Sequence, residues 1–205
     1  GAGRTLGAHH SQSLEAWLMH IPGIKVVMPA TPADAKGLLK SSIREDNPIV
    51  FIEHKMLYNV KGQVPDEEYL TPIGVADVKR TGKDVTILTY SRMLLFSLQA
   101  AEILEKQGIS VEVIDLRTLL PLDKETIKNS VMKTNRVVIV EEDTKTAGAG
   151  AEIGMTVIEE CFDYLDAPIK RIAGADVPMP KSPNLEKLAI PSPERIVEGV
   201  KEVLK

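Results

Sequence analysis

The densest run of chemically capable side chains is His9-His10-Ser11-Gln12. It follows the glycine-rich Gly1-Ala2-Gly3 and Gly7, and it precedes a helix-like segment. A histidine in such a loop exchanges a proton near neutral pH and suits general acid–base work. A serine nucleophile would need a histidine and an acid brought to it in space. Adjacent His10 and Ser11 do not imply that geometry, and the chain has no Gly-x-Ser-x-Gly elbow. Hydrolase chemistry is therefore set aside. His9, His10, His20 and His54 also lack metal-ligand spacing. By spacing alone, His10 reads equally well as a loop or capping histidine and as a catalytic group.

Other segments carry weaker signals. Gly148-Ala149-Gly150-Ala151-Glu152 has the look of a phosphate-cradling helix start. It lacks the third glycine of a dinucleotide fingerprint and the Lys-Ser/Thr of a P-loop, and Glu152 could satisfy the helix donors itself. Close packing of a helix on a strand is the preferred reading there. Ser41 to Asn47 is an expected helix end with acids, where free carbonyls and the dipole favour a cation. Glu141-Glu142-Asp143 ends a strand, where α/β folds place ligands, but a solvated acidic turn is preferred. Cys161 falls on an apolar helical face with Ile153 and Val157 and reads as core.

These segments need elements to position them. Strand-like runs alternate with helix-like ones, which predicts an α/β fold with a mainly parallel sheet. Helices are expected at Ser13 to His20 and after Thr31-Pro32-Ala33-Asp34. In the second of these, Thr31 caps, Pro32 takes the first helical position, and Ala35, Leu38, Leu39 and Ile43 form an apolar face. Ile24 to Met28 and Ile49 to Glu53 read as strands, the latter buried. Asn59 to Gly82 changes character, with Pro65, Pro72 and Asp66-Glu67-Glu68, and reads as a linker with a possible edge strand at Val75 to Val78. Beyond it, strands are expected at Val85 to Thr89, Val111 to Asp115, Val137 to Val140 and Ile169 to Ile172. The helices between and after them start at Ser91, Asp123, Gly148 and Ser192-Pro193.

The 205 residues are 43% hydrophobic and 26% charged, close to the globular average, with a net charge of −4. That balance argues against a nucleic-acid or anionic-membrane surface. One cysteine excludes an internal disulfide framework. The apolar runs are far shorter than a membrane span. The part before the linker would bury a poor core alone, so it reads as half of a domain. Gly1 is expected to mark a missing front half.

Read together, several segments carry a resemblance. They are His10-Ser11-Gln12-Ser13-Leu14-Glu15-Ala16-Trp17, Pro22-Gly23-Ile24-Lys25-Val26-Val27-Met28-Pro29, and Asp34-Ala35-Lys36-Gly37-Leu38-Leu39-Lys40. Further matches are Asp115-Leu116-Arg117-Thr118, Pro121-Leu122-Asp123, Lys133-Thr134-Asn135-Arg136 and Gly174-Ala175-Asp176-Val177-Pro178. Over essentially its whole length the chain resembles the beta subunit of thiamine diphosphate-dependent 2-oxoacid dehydrogenases, of the pyruvate or acetoin type. Phe51-Ile52-Glu53-His54-Lys55 with Leu57-Tyr58 leans toward the acetoin type.

The resemblance implies residues 1–64 as the C-terminal half of a pyrimidine-binding domain, 65–80 as a linker, and 81–205 as a complete transketolase C-terminal-type three-layer α/β domain. It implies His10 as the active-site histidine, serving acyl transfer to a lipoyl arm after oxidative decarboxylation or cleavage. It implies thiamine diphosphate shared with an alpha subunit that carries Mg2+, and K+ near Ser42, Ile43, Glu45 and Asn47. The main cofactor-binding residues would lie upstream or in that alpha subunit, so this piece would not complete the reaction alone. The implied partners are the alpha subunit, a second beta subunit and a dihydrolipoamide acyltransferase, in the cytoplasm or a mitochondrial matrix. Two alternatives stand beside this reading. One is an assembly module that docks the alpha subunit and acyltransferase core without catalysis of its own. The other is a transketolase-like enzyme.

Overall fold

Local capping rules explain where most helices begin. The computed structural model describes residues 1–205. Helix α1 (Glu15–Met19) is short, and strand β1 (Lys25–Val27) follows it. Helix α2 (Pro32–Ile43) starts as expected: Thr31 Oγ1 accepts from Asp34 N at 3.1 Å and Pro32 sits in the first turn. Of its expected apolar face only Leu38 is fully buried. Leu39 and Ile43 are exposed, because the narrow buried stripe of α2 runs through Asp34, Gly37 and Leu38 instead. Strand β2 (Ile49–Phe51) is half-buried rather than buried, since it forms the edge of its sheet.

The second part follows with β3 (Asp77–Arg80), β4 (Val85–Thr89), α3 (Met93–Glu105), β5 (Val111–Asp115), β6 (Thr118–Leu120), α4 (Lys124–Thr134), β7 (Val137–Thr144), α5 (Ala149–Cys161), β8 (Lys170–Gly174), α6 (Pro183–Ala189) and α7 (Pro193–Val203). Asp123 caps α4 through Thr126 N at 3.0 Å, and Ser192 caps α7 through Arg195 N at 3.3 Å. Ser91 does not cap α3 with its side chain. It has φ +52°, its hydroxyl has no partner, and its carbonyl accepts from Leu94 N instead.

Two sheets form. The five-stranded sheet runs β3-β5-β4-β7-β8, parallel except for the antiparallel edge strand β3. Alternate side chains of β4 and β7 serve its two faces. Val85, Ile87, Val138 and Val140 pack with α3 and α7, whereas Leu88, Val137 and Ile139 pack with α4 and α5. The three-stranded sheet runs β2-β1-β6. Strand β6, absent from the sequence reading, pairs antiparallel with β1. It carries the second part of the chain into the sheet of the first. Val26 and Met28 accordingly join the same apolar cluster as Ile114, Leu119 and Ile127. The core that a first half alone would lack is borrowed from the second. No helix is long and apolar enough to cross a membrane.

Candidate active site

In the five-stranded sheet the chain leaves β4 through α3 toward β5, then crosses back to lay β7 on the other side of β4. Such a reversal opens a crevice beyond the carboxyl ends of the two strands. Here those ends are Tyr90-Ser91-Arg92 and Glu141 to Thr144. The loop of residues 2–14 lies against these strand ends, as in the bond from Ala2 N to Glu142.

The acidic run is the main correction to the sequence reading. Glu141, Glu142 and Asp143 are not a solvated turn but buried residues of an extended β7, at 0%, 7% and 6% exposure. Each has a specific task. Glu141 accepts from Gly150 N at 2.5 Å and from Arg171 Nη2 at 2.5 Å. It, and not the exposed Glu152, satisfies the first turn of α5. A Cβ at Gly150 would lie 2.3 Å from Glu141 Oε1, and one at Gly148 would lie 2.2 Å from Thr144 O. The glycines thus serve close helix–strand packing, as preferred from sequence.

Glu142 meets groups from the first part. His54 Nδ1 accepts from Met56 N at 3.1 Å, so the ring proton sits on Nε2, which donates to Glu142 Oε1 at 3.1 Å. Ala2 N donates to the same carboxylate at 2.6 Å, and Arg92 Nη1 approaches at 3.3 Å. Burial alone would raise the Glu142 pKa. The bonds from His54 and Ala2 and the charge of Arg92 outweigh it and hold the carboxyl below its usual range.

Glu15, in the first turn of α1, behaves oppositely. Burial, then the neighbouring charge of Asp143, push its carboxyl up to about 7, although Tyr90 Oη donates to it at 3.1 Å. Burial, aided by the charge of Glu142, also raises Asp143. Two like-charged carboxyls in a dry crevice resist joint ionisation.

His10 lies exposed at the outer turn of this loop. Gln12 Nε2 donates to Ala8 O at 2.7 Å, and Lys55 Nζ donates to His10 O at 3.3 Å. Ser11 next to it is buried, with a hydroxyl that has no partner. A cavity of about 320 Å³ is lined by Ser11, Gln12, Asp143, Thr144, Gly174 and Pro178. The His10 loop, the β7 end and the Gly174 to Pro178 segment therefore converge. His9 packs only loosely on His10, with ring centroids 6.3 Å apart.

The Ser42, Ile43, Glu45 and Asn47 group is elsewhere, at the C-terminal end of α2, and none of it lines this cavity. Ser42 Oγ donates to Leu38 O at 2.7 Å, and Ile43 is exposed. Glu45 accepts from Lys25 Nζ at 2.7 Å and Asn47 Nδ2 at 2.7 Å, which hold its carboxyl down at about 2. Cys161 is buried core, as expected. Glu15 and His54 were not singled out as site residues from sequence, and Glu142 and Asp143 were weighed there and set aside as a solvated turn. The usable signal was an acidic run at a strand's carboxyl end.

Comparison with known proteins now separates one fold family from others that share such crevices. The family described as transketolase, C-terminal domain, matches residues 74–196. The chain belongs to the transketolase C-terminal domain family. The transketolase pyrimidine binding domain also matches, over residues 1–61. Among similar proteins is pyruvate dehydrogenase E1 component subunit beta-2, mitochondrial, of Oryza sativa subsp. japonica. It is 52% identical, covering 98% of this chain and 54% of that protein. The 2-oxoisovalerate dehydrogenase subunit beta of Bacillus subtilis is 49% identical, over 99% of this chain and 63% of that protein. A solved structure titled split gene transketolase, inactive beta4 tetramer, superposes with a TM-score of 0.79 at 25% identity, covering 96% of this chain and 63% of the other. The chain thus spans between about half and two thirds of these relatives. In transketolase-family terms, the pyrimidine-binding part supplies the His10 loop and the C-terminal domain supplies the crevice that receives it.

Proposed function

We propose that this chain is the His10-bearing portion of the beta subunit of a thiamine diphosphate-dependent 2-oxoacid dehydrogenase. The single observation that carries it is the loop of the exposed His10, whose next residues Ser11 and Gln12 line a cavity built jointly by both matched domains. The likeness to pyruvate and 2-oxoisovalerate dehydrogenase beta subunits supports the reaction class.

The residues here fit contact with one end of the cofactor. The cavity is lined by polar Ser11, Gln12, Asp143 and Thr144 together with apolar groups, and the buried Ser11 hydroxyl has no partner within the chain. Thiamine diphosphate, when bound, stabilises the electron pair left on the acyl carbon as the substrate is cleaved. This chain's part is proton handling. The lipoyl arm's S–S bond would be broken in the acyl transfer, one sulfur taking the acyl group and the other leaving with the electron pair of the broken bond. A ring nitrogen of His10 gives that sulfur its proton. Gln12 and Lys55 hold the turn on which the imidazole is presented.

The further parts of the reading are an alpha subunit carrying Mg2+, a second beta subunit and an acyltransferase core as partners. Potassium at the end of α2 rests on the negative end of the helix dipole, because the Ser41 and Ser42 carbonyls already accept from Arg44 N and Glu45 N and the side chain of Glu45 is engaged by Lys25. In reconstituted enzyme, His10→Ala should abolish lipoyl acylation while 2-oxoacid oxidation by an artificial electron acceptor continues. Normal lipoyl acylation by that variant would sink the assignment.

A further inference from the structure

The loop that presents His10 has no helix or strand of its own between Ala2 and Leu14. Its path is set by contacts, and the deepest are with the C-terminal domain. Gly3 N donates to Glu186 Oε1 at 2.9 Å, and Thr5 N donates to both oxygens of Glu186 at 3.1 Å. Gly3 has φ +110° and Thr5 has φ +53°. Left-handed residues on either side of Arg4 curl the chain so that its amides converge, which makes a concave anion receptor. The φ of +110° favours glycine at the first position, where a Cβ would also lie 2.8 Å from Arg92 Nη1 and 2.9 Å from Met56 Cγ.

The anion in that receptor is the protein's own. Glu186, on α6, is 3% exposed. No lysine or arginine pairs with it, and its side chain makes no bond within its own helix. Every hydrogen bond of this buried carboxylate goes to the His10 loop. Ala2 beside it is fastened separately, its N–H to Glu142 and its carbonyl to Arg92 at 3.0 Å.

We propose that Glu186 is the positioning residue for His10: its carboxylate fills the amide receptor of Gly3 and Thr5 and so fixes the path of the loop that delivers the imidazole. The proposal rests on the His10 reading above. It adds a residue from the other domain, remote in sequence, to the machinery of acyl transfer.

The test uses the enzyme assembled with its partner subunits. In Glu186→Ala, lipoyl acylation should fall 10-fold or more, while oxidation of the 2-oxoacid by an artificial electron acceptor stays within about 2-fold. Acetate should refill the receptor and restore acylation several-fold, where chloride at equal ionic strength does not. Glu186→Gln should be intermediate and unresponsive to acetate. Amide exchange at Gly3 and Thr5 should quicken in Glu186→Ala and slow again with acetate. Unchanged acylation in Glu186→Ala, or an equal loss of both reactions without an acetate response, overturns the positioning role. His10→Ala measured alongside separates the two readings. If it acylates normally, the His10 role falls. If it is inactive while Glu186→Ala is normal, only the role of Glu186 falls.

Discussion

Arg117 Nη2 lies 2.6 Å from Asp34 Oδ1, joining the turn between β5 and β6 to the first turn of α2 in the other matched domain. The same guanidinium nitrogen reaches Asp77 Oδ2 at 2.6 Å on β3, and Lys79 Nζ bridges Asp34 and Asp77 at the same distance. Asp34 is buried, so losing a cation leaves a charge that water cannot reach.

Arg117→Ala should therefore destabilise the fold by about 3 kcal/mol, the scale for breaking a buried pair, with Lys79 as the remaining partner. Urea unfolding would read it. Combined with Asp34→Ala, the two losses should fall well short of adding, because each removes the same interaction. Strict additivity would count against the clamp.

Glu15 sets a pH slope. Its native carboxyl is raised from 4.5 to about 7, so the folded state holds a proton that the unfolded chain has released. Stability must then fall as pH rises from about 4.5 to 7 and level off above. Glu15→Gln should keep the acceptor for Tyr90 and be more stable than the parent at pH 8, by on the order of 3 kcal/mol, with little difference at pH 4. Asp115, fully buried and likewise raised to about 7 by burial, should add to that slope, and Asp115→Asn should make it shallower. Equal stabilities of parent and Glu15→Gln across pH 4–8 would refute this.

Glu142 has the opposite sign. Its native carboxyl lies below 4.5, so its contribution is full above that value and is lost as pH falls through the native one. Glu142→Gln should lose stability at neutral pH and show a flatter acid limb in melts between pH 3 and 7. His54→Ala should cost about 2 kcal/mol, as for a hydrogen bond to a charged group. A Glu142→Gln acid limb as steep as the parent's would exclude the pairing as its source.

At Gly150 two effects compete. Alanine ordinarily gains up to about 1 kcal/mol over glycine inside a helix. Here its Cβ would stand 2.3 Å from Glu141 Oε1, on a buried carboxylate held by Arg171 and by Gly150 N. Overpacking should win, and Gly150→Ala should lose about 2 kcal/mol by thermal melting. A neutral or stabilised Gly150→Ala would show that α5 can slide on β7.

Much of the fold was legible because its signals are local. Thr31 and Asp34, Asp123 and Thr126, and Ser192 and Arg195 sit three residues apart, within reach of one helical turn, so sequence alone placed the starts of α2, α4 and α7. Runs of β-branched residues likewise placed β4, β5 and the start of β7, and apolar periodicity put Cys161 in the core. The pattern around His10 named the candidate histidine. Sequence could not say what lies against it. Glu142 finds His54 across 88 positions and Ala2 across 140, while Glu186 finds Gly3 across 183. An acidic run is ordinarily solvated, and its burial here depends on partners distant in sequence, Arg171 for Glu141 and His54 and Ala2 for Glu142. Short β6 carried no periodicity of its own and became a strand because β1 offered it a ladder. Local chemistry thus determined the elements, and the family resemblance around His10 named the candidate catalytic group. The tertiary structure decided which buried charges hold that group in place, because those pairings depend on distance in space and not along the chain.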